Sequence, residues 1–124
     1  MTKLIRISAA LLLLLSTSFA LACDYPERPA IPDGNTATKD ELLAAKGAIQ
    51  EFMAAVDGYL QCIENEEQSA IAALDNPSPE EIQRRDEMLN KKFDAANDEK
   101  ALLGEQFNQQ IRLYNAKLKE DASE

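Results

Sequence analysis

The chain has 124 residues, with 13 basic and 22 acidic side chains, a net charge of −9 and no histidine. That length supports one small domain, and the acidic balance argues against binding to nucleic acid or anionic lipid heads. Without histidine the commonest general base and the usual transition-metal ligand are missing. No nucleophile elbow, phosphate-binding loop or dinucleotide glycine fingerprint takes their place.

Residues 1–22 read as a secretory signal peptide. Lys3 and Arg6 precede an apolar run from Ala9 to Leu15, too short to span a bilayer, and Ala20-Leu21-Ala22 supplies an A-x-A exit. Ser18-x-Ala20 is a second exit that would leave Leu21 first. Loss of Lys3 and Arg6 moves the net charge from −9 to −11. The expectation is an exported protein, in the bacterial periplasm, with no transmembrane helix in its mature chain.

Residues 23–37 form a proline-rich tail. Pro26, Pro29 and Pro32 recur every third residue, which in a polyproline II helix puts all three rings on one edge. Asp33-Gly34-Asn35 is a turn signal. Thr38-Lys39-Asp40-Glu41 then fits a capping box and opens a helix over 38–74. Its apolar stripe is Leu42, Ala45, Ile49, Phe52, Val56 and Tyr59, continued by Ile63 and Ala70.

Asp75-Asn76-Pro77 breaks that helix. Ser78-Pro79-Glu80-Glu81 starts another over 78–118, with Ser78 as cap, Pro79 at the first helical position and Glu81 completing a box. The second stripe runs through Ile82, Leu89, Phe93, Ala96, Leu103 and Phe107 to Ile111, Tyr114 and Leu118. Residues 119–124 are expected to fray as an acidic tail. The predicted fold is all-α: a coiled-coil-like, antiparallel two-helix hairpin over 38–118, with the polyproline II segment folded back on the first helix. Two helices bury only one stripe each, so stability needs the proline segment as a third layer, or dimerisation into a four-helix bundle. Asp86 and Lys100 interrupt the second stripe, either snorkelling at the seam edge or setting register or pairing across a dimer.

Two cysteines in an exported chain suggest a disulfide from Cys23 to Cys62. Cys62 lies about 36 Å along the first helix at 1.5 Å per residue. The intervening tail spans roughly 43 Å as polyproline II, so it reaches with little slack. Ala44, Ala48, Ala55, Gly58 and Cys62 form, with Glu51, a stripe of mostly small residues beside the apolar one. That stripe is read as the bed for the tail, with Tyr25 or Ile31 packing near Tyr59 or Phe52. Closing about 40 residues would stabilise by roughly 4 kcal/mol in the chain-entropy account.

Pro26-x-x-Pro29-x-x-Pro32, the Gly34 turn and a helix with Tyr59-Leu60 resemble the pancreatic-polypeptide fold, in which a proline-rich strand packs on an amphipathic helix. The likeness covers about a third of the chain and concerns structure alone. Cys23-x-x-Pro26-x-x-Pro29-x-Ile31-Pro32-x-Gly34, Thr36-Ala37-Thr38, Glu41-Leu42 and Tyr59-Leu60-x-Cys62 also resemble small exported helical proteins of proteobacteria. That resemblance implies a periplasmic helical hairpin and carries no activity with it.

No cofactor is implied. Glu64-Asn65-Glu66-Glu67 diverges along a helix and lacks the spacing of a calcium loop, so it reads as a solvated face, with Glu67 placed to pair with Arg85. The reading is a non-enzymatic periplasmic interaction or structural module. Two alternatives stand beside it: a holdase-type chaperone, and a lipoprotein anchored through Cys23 at the inner membrane. Lipidation and the disulfide exclude each other, because both use the Cys23 sulfur.

Overall fold

The computed structural model describes residues 23–123. The expected signal peptide over 1–22 lies outside the described residues, as does Glu124. Within them the chain forms two helices, α1 (Lys39–Ala72) and α2 (Pro79–Asp121), packed as a hairpin. No helix there is long and apolar enough to cross a membrane. At 1.5 Å per residue the helices are about 50 and 65 Å long.

Local chemistry explains where each helix begins. Thr38 has extended backbone, and its Oγ1 accepts from Glu41 N at 3.2 Å while Glu41 Oε2 accepts from Thr38 N at 2.7 Å. Both arms of the capping box satisfy N–H groups that the first turn leaves without partners. The donation from Thr38 N is the main reason the Glu41 carboxyl titrates below its ordinary value, with the Thr38 hydroxyl adding to it. At α2, Ser78 Oγ accepts from Glu81 N at 3.2 Å. The expected second arm does not form. Glu81 instead lies where its charge acts on Arg85.

Between the helices Asn76 adopts φ 50°, the left-handed region that asparagine tolerates better than most residues. The hairpin is antiparallel in register as well as direction: Glu67 pairs with Arg85 near the tip, Asp57 with Lys100 midway, and Met53 lies beside Gly104. The expected fraying tail is partly helical, since α2 runs to Asp121 with Lys119 in its last turn, where a cation favours the helix dipole.

The core follows the predicted stripes with one shift. Ile49, Phe52, Val56, Leu60 and Ile63 of α1 close on Ala96 and Leu103 of α2. Val56 and Leu103 are fully buried, each at 0 % exposure. Leu60, not Tyr59, continues the stripe, because stepping four and then three residues from Val56 keeps the line on the seam. Tyr59 sits at the seam edge, half-buried. Leu118 is 47 % exposed, since it lies level with the start of α1 and has nothing beyond to pack on. Asp86 is exposed rather than core-facing and accepts from Asn90 Nδ2, and Lys100 is bonded within the hairpin to Asp57 at 2.6 Å.

The small-residue stripe is not the bed of the tail. Ala44, Ala55 and Gly58 are exposed, and a β-carbon on Gly58 would meet nothing within 4 Å. Mid-helix glycine costs backbone entropy that alanine does not. Gly58→Ala is therefore expected to raise stability by about 0.5–1 kcal/mol in urea unfolding. A loss of stability would return the tail to that stripe.

Candidate functional site: a stapled segment in the interhelical groove

The tail lies over the seam between the helices and touches both. It starts at Cys23, whose sulfur is bonded to that of Cys62 with the Cα atoms 5.8 Å apart. Two residues on, Tyr25 meets Tyr59 edge-on with ring centroids 5.0 Å apart, and Phe52 at 6.2 Å. Such edge-to-face pairs add to what their buried area contributes. Ile31 packs against the core cluster. The expected neighbours Tyr59 and Phe52 are thus the observed ones.

The other half of the path belongs to α2. The Arg28 guanidinium pairs with Glu99 at 2.9 Å and donates to Gln106 Oε1. Further along, Gly34 N donates to Gln110 Oε1 at 2.8 Å. The tail therefore runs antiparallel to α1 and parallel to α2. Pro26, Pro29 and Pro32 are half-buried while Glu27, Arg28 and Ala30 are exposed, so the three rings share an inward edge as their spacing implies.

Gly34 ends this path on a contact that sequence reading took only for a turn. The turn is there: Asp33 O accepts from Thr36 N at 3.1 Å and Ala37 N at 2.8 Å, and Asp33 Oδ1 accepts from Asn35 N at 2.9 Å. Gly34 is also buried against the backbone of α2. A β-carbon there would overlap the Gln110 carbonyl oxygen and come 3.0 Å from Leu113 Cβ. The obstacle is helix backbone, which cannot rotate aside as a side chain does. The Arg28 contacts were likewise missed, since nothing in the local sequence brings residue 28 to residue 99.

Of the residues singled out for packing, the structure gathers Pro26, Pro29, Pro32 and Tyr59 along the tail and leaves Gly58 and Ala55 outside it. Glu66 joins the disulfide: one carboxylate oxygen and the two sulfurs all lie within 4.8 Å of one another. Joined as a disulfide, the sulfurs offer a metal no thiolate. The Cys23 sulfur, bonded to Cys62, is closed to a lipid thioether in this structure.

The displaced titrations belong to the fold. Partial burial is the larger cause of the rise in the Tyr25 phenol above 10.0, with the Glu99 carboxylate second. The Arg85 guanidinium is raised first by its hydrogen bond to Glu67 and then by that carboxylate's charge. No protein family, curated protein or solved structure matches this chain.

Two predictions test the site. Gly34→Ala is expected to cost about 1–3 kcal/mol in urea unfolding, the range for forcing volume into a filled contact, and to weaken hydrogen-exchange protection at Gly34 and Asn35 first. An unchanged midpoint would mean that the approach to Gln110 is loose. The Tyr25 phenol is raised on folding, so folding favours its neutral form. That contribution is present below pH 10 and is lost as pH rises through the raised value. Difference curves between the protein and Tyr25→Phe are expected to show alkaline destabilisation that the phenylalanine variant lacks.

Proposed function

We propose that this protein is an exported, non-enzymatic helical module that presents its hairpin surface to a protein partner in the bacterial periplasm. The observation that carries the reading is the way its reactive groups are used. Both cysteines are bound in a disulfide that pins the tail across two helices, and the shifted Glu41 and Arg85 serve a helix cap and an interhelical pair. A disulfide fits an oxidising compartment. The leader-like features of residues 1–22 support the same location.

The hairpin offers long accessible faces to a partner. Leu43, Met88, Leu102 and Leu118 remain 47–57 % exposed on a chain whose polar surface is acidic. Exposed apolar positions flanked by charge suit protein contact.

The experiment is crosslinking in intact cells, followed by fractionation and intact-mass measurement with and without reduction and alkylation. The expected species is soluble, begins near Cys23, gains two alkyl groups only after reduction and is recovered in part as a discrete crosslinked complex. A membrane-bound species heavier by a diacylglyceryl group, with one thiol open before reduction, would replace this reading with the lipoprotein. A chain that crosslinks to nothing, itself included, would end the interaction reading.

A further inference from the structure

The two flanks of the helix seam are unlike. One is covered from Cys62 to the open end by the tail, which rests on Tyr59 and Cys62 of α1 and on Glu99, Gln106 and Gln110 of α2, and beyond Cys62 that flank carries a separate groove lined by Ile63, Glu66, Arg84 and Met88. The other carries two open grooves, one at each end of the hairpin. The groove at the open end has a volume near 390 Å³, an apolar floor of Leu42, Phe107, Ile111 and Tyr114, and a rim holding Lys39 and Lys46. The groove at the tip has a volume near 740 Å³, a floor of Ile71, Pro79, Ile82 and Leu89, and a rim holding Glu64, Glu67 and Asp86.

Helix periodicity places both grooves on one face. Lys39, Lys46, Met53, Leu60 and Glu67 recur every seventh residue of α1, and Asp86, Phe93, Lys100, Phe107 and Tyr114 every seventh residue of α2. The charges on that face are sorted by end. No carboxylate lines the open-end groove and no lysine or arginine lines the tip groove. Among the described residues neither Lys39 nor Lys46 forms an ion pair.

From this arrangement we infer that the tail-free face is the interface for a second copy of this chain, bound antiparallel about a two-fold axis. The rotation lays the basic groove of each copy on the acidic groove of the other, twice, and brings apolar floor to apolar floor. A two-fold interface must be self-complementary, and a face that is basic at one end and acidic at the other meets that condition only when the copies run in opposite directions. The midpoint between Lys46 and Glu64 is Ala55, and the midpoint between Asp86 and Ile111 falls at Asp98 and Glu99. The axis thus passes within a turn of the Asp57–Lys100 pair. The product is a four-helix bundle with a proline tail on each outer side.

This inference rests on the helical-module reading and names its partner. It is tested by sedimentation of the disulfide-bonded protein over a range of concentrations, with a zero-length amine-to-carboxylate crosslinker as a second readout. A two-chain species is expected. Lys39→Glu with Lys46→Glu should weaken it about tenfold or more, and adding Glu64→Lys with Asp86→Lys should restore it. All four side chains are exposed, so the variants are expected to keep their helix content, which circular dichroism checks. Lys46 and Glu64 lie about 27 Å apart along one helix, so a crosslink between them must join two copies. A single-chain species at every concentration overturns the inference, as does a dimer indifferent to the charge reversals or lacking the Lys46–Glu64 crosslink. A monomer that still crosslinks to another protein in cells would leave the module reading standing.

Discussion

A pair of helices in contact along one seam cannot cover its own flanks, and this geometric deficit governs the rest of the molecule. The core here is a narrow line of side chains, Ile49 to Ile63 against Ala96 and Leu103, flanked on the helices only by partly buried residues such as Met53, Tyr59, Leu89, Phe93 and Phe107. Chains this small bury a low fraction of their surface, so a thin core leaves little margin over conformational entropy. The tail supplies the missing layer on one flank. It carries neither helix nor strand, and its three prolines have no N–H to offer a neighbour. Such a segment stays in place only through side-chain packing, limited freedom when detached, and anchors at its ends. Proline restricts the detached state, the disulfide holds one end, and the close approach of Gly34 to α2 holds the other.

The two anchors differ in kind. The disulfide acts mainly through the unfolded chain, by removing the entropy of a loop closed across a sequence separation of 39 residues. Gly34 acts as an anchor through the folded state, since the absence of a side chain lets the backbone meet the Gln110 carbonyl, although glycine also loosens the unfolded chain. Between them Arg28 makes a partly exposed ion pair with Glu99, worth little by itself, and its hydrogen bond to Gln106 fixes the tail's register on α2. The tail thus ties α2 to α1 at a distance from the hairpin turn, where the two helices would otherwise be free to splay.

Sequence reading recovered what short-range chemistry determines. Thr38 and Ser78 announce helix starts because capping involves residues three apart, and the Cys23–Cys62 pairing was suggested by two cysteines in an exported chain, with two chain lengths showing that the tail could reach. It failed where the deciding partner is remote. Tyr59 and Leu60 are both compatible with a helical stripe, and only the rotation of α1 against α2 chooses between them. Ala55 and Gly58 looked like a bed because small residues permit close approach, yet the tail lies nearer the seam, where it gains contact with α2 as well. A tail on that stripe would have touched one helix and buried less. The glycine that does admit a close approach, Gly34, was hidden by having a sufficient local explanation as a turn residue.

Net charge by itself does not decide whether two copies of this chain can meet, for a physical reason. A chain carrying −9 repels another like it at long range, but screening at physiological salt reduces that field within about 8 Å. The basic and acidic grooves of the tail-free face lie several such lengths apart, so each acts on what touches it with little regard to the total. Lys39 illustrates the local logic. It occupies the first turn of α1, where the helix dipole disfavours a cation, and among the described residues no carboxylate is paired with it. Against the carboxylates of a second, antiparallel copy the same charge would become favourable, so the proposed contact would give Lys39 an electrostatic role that the isolated hairpin does not.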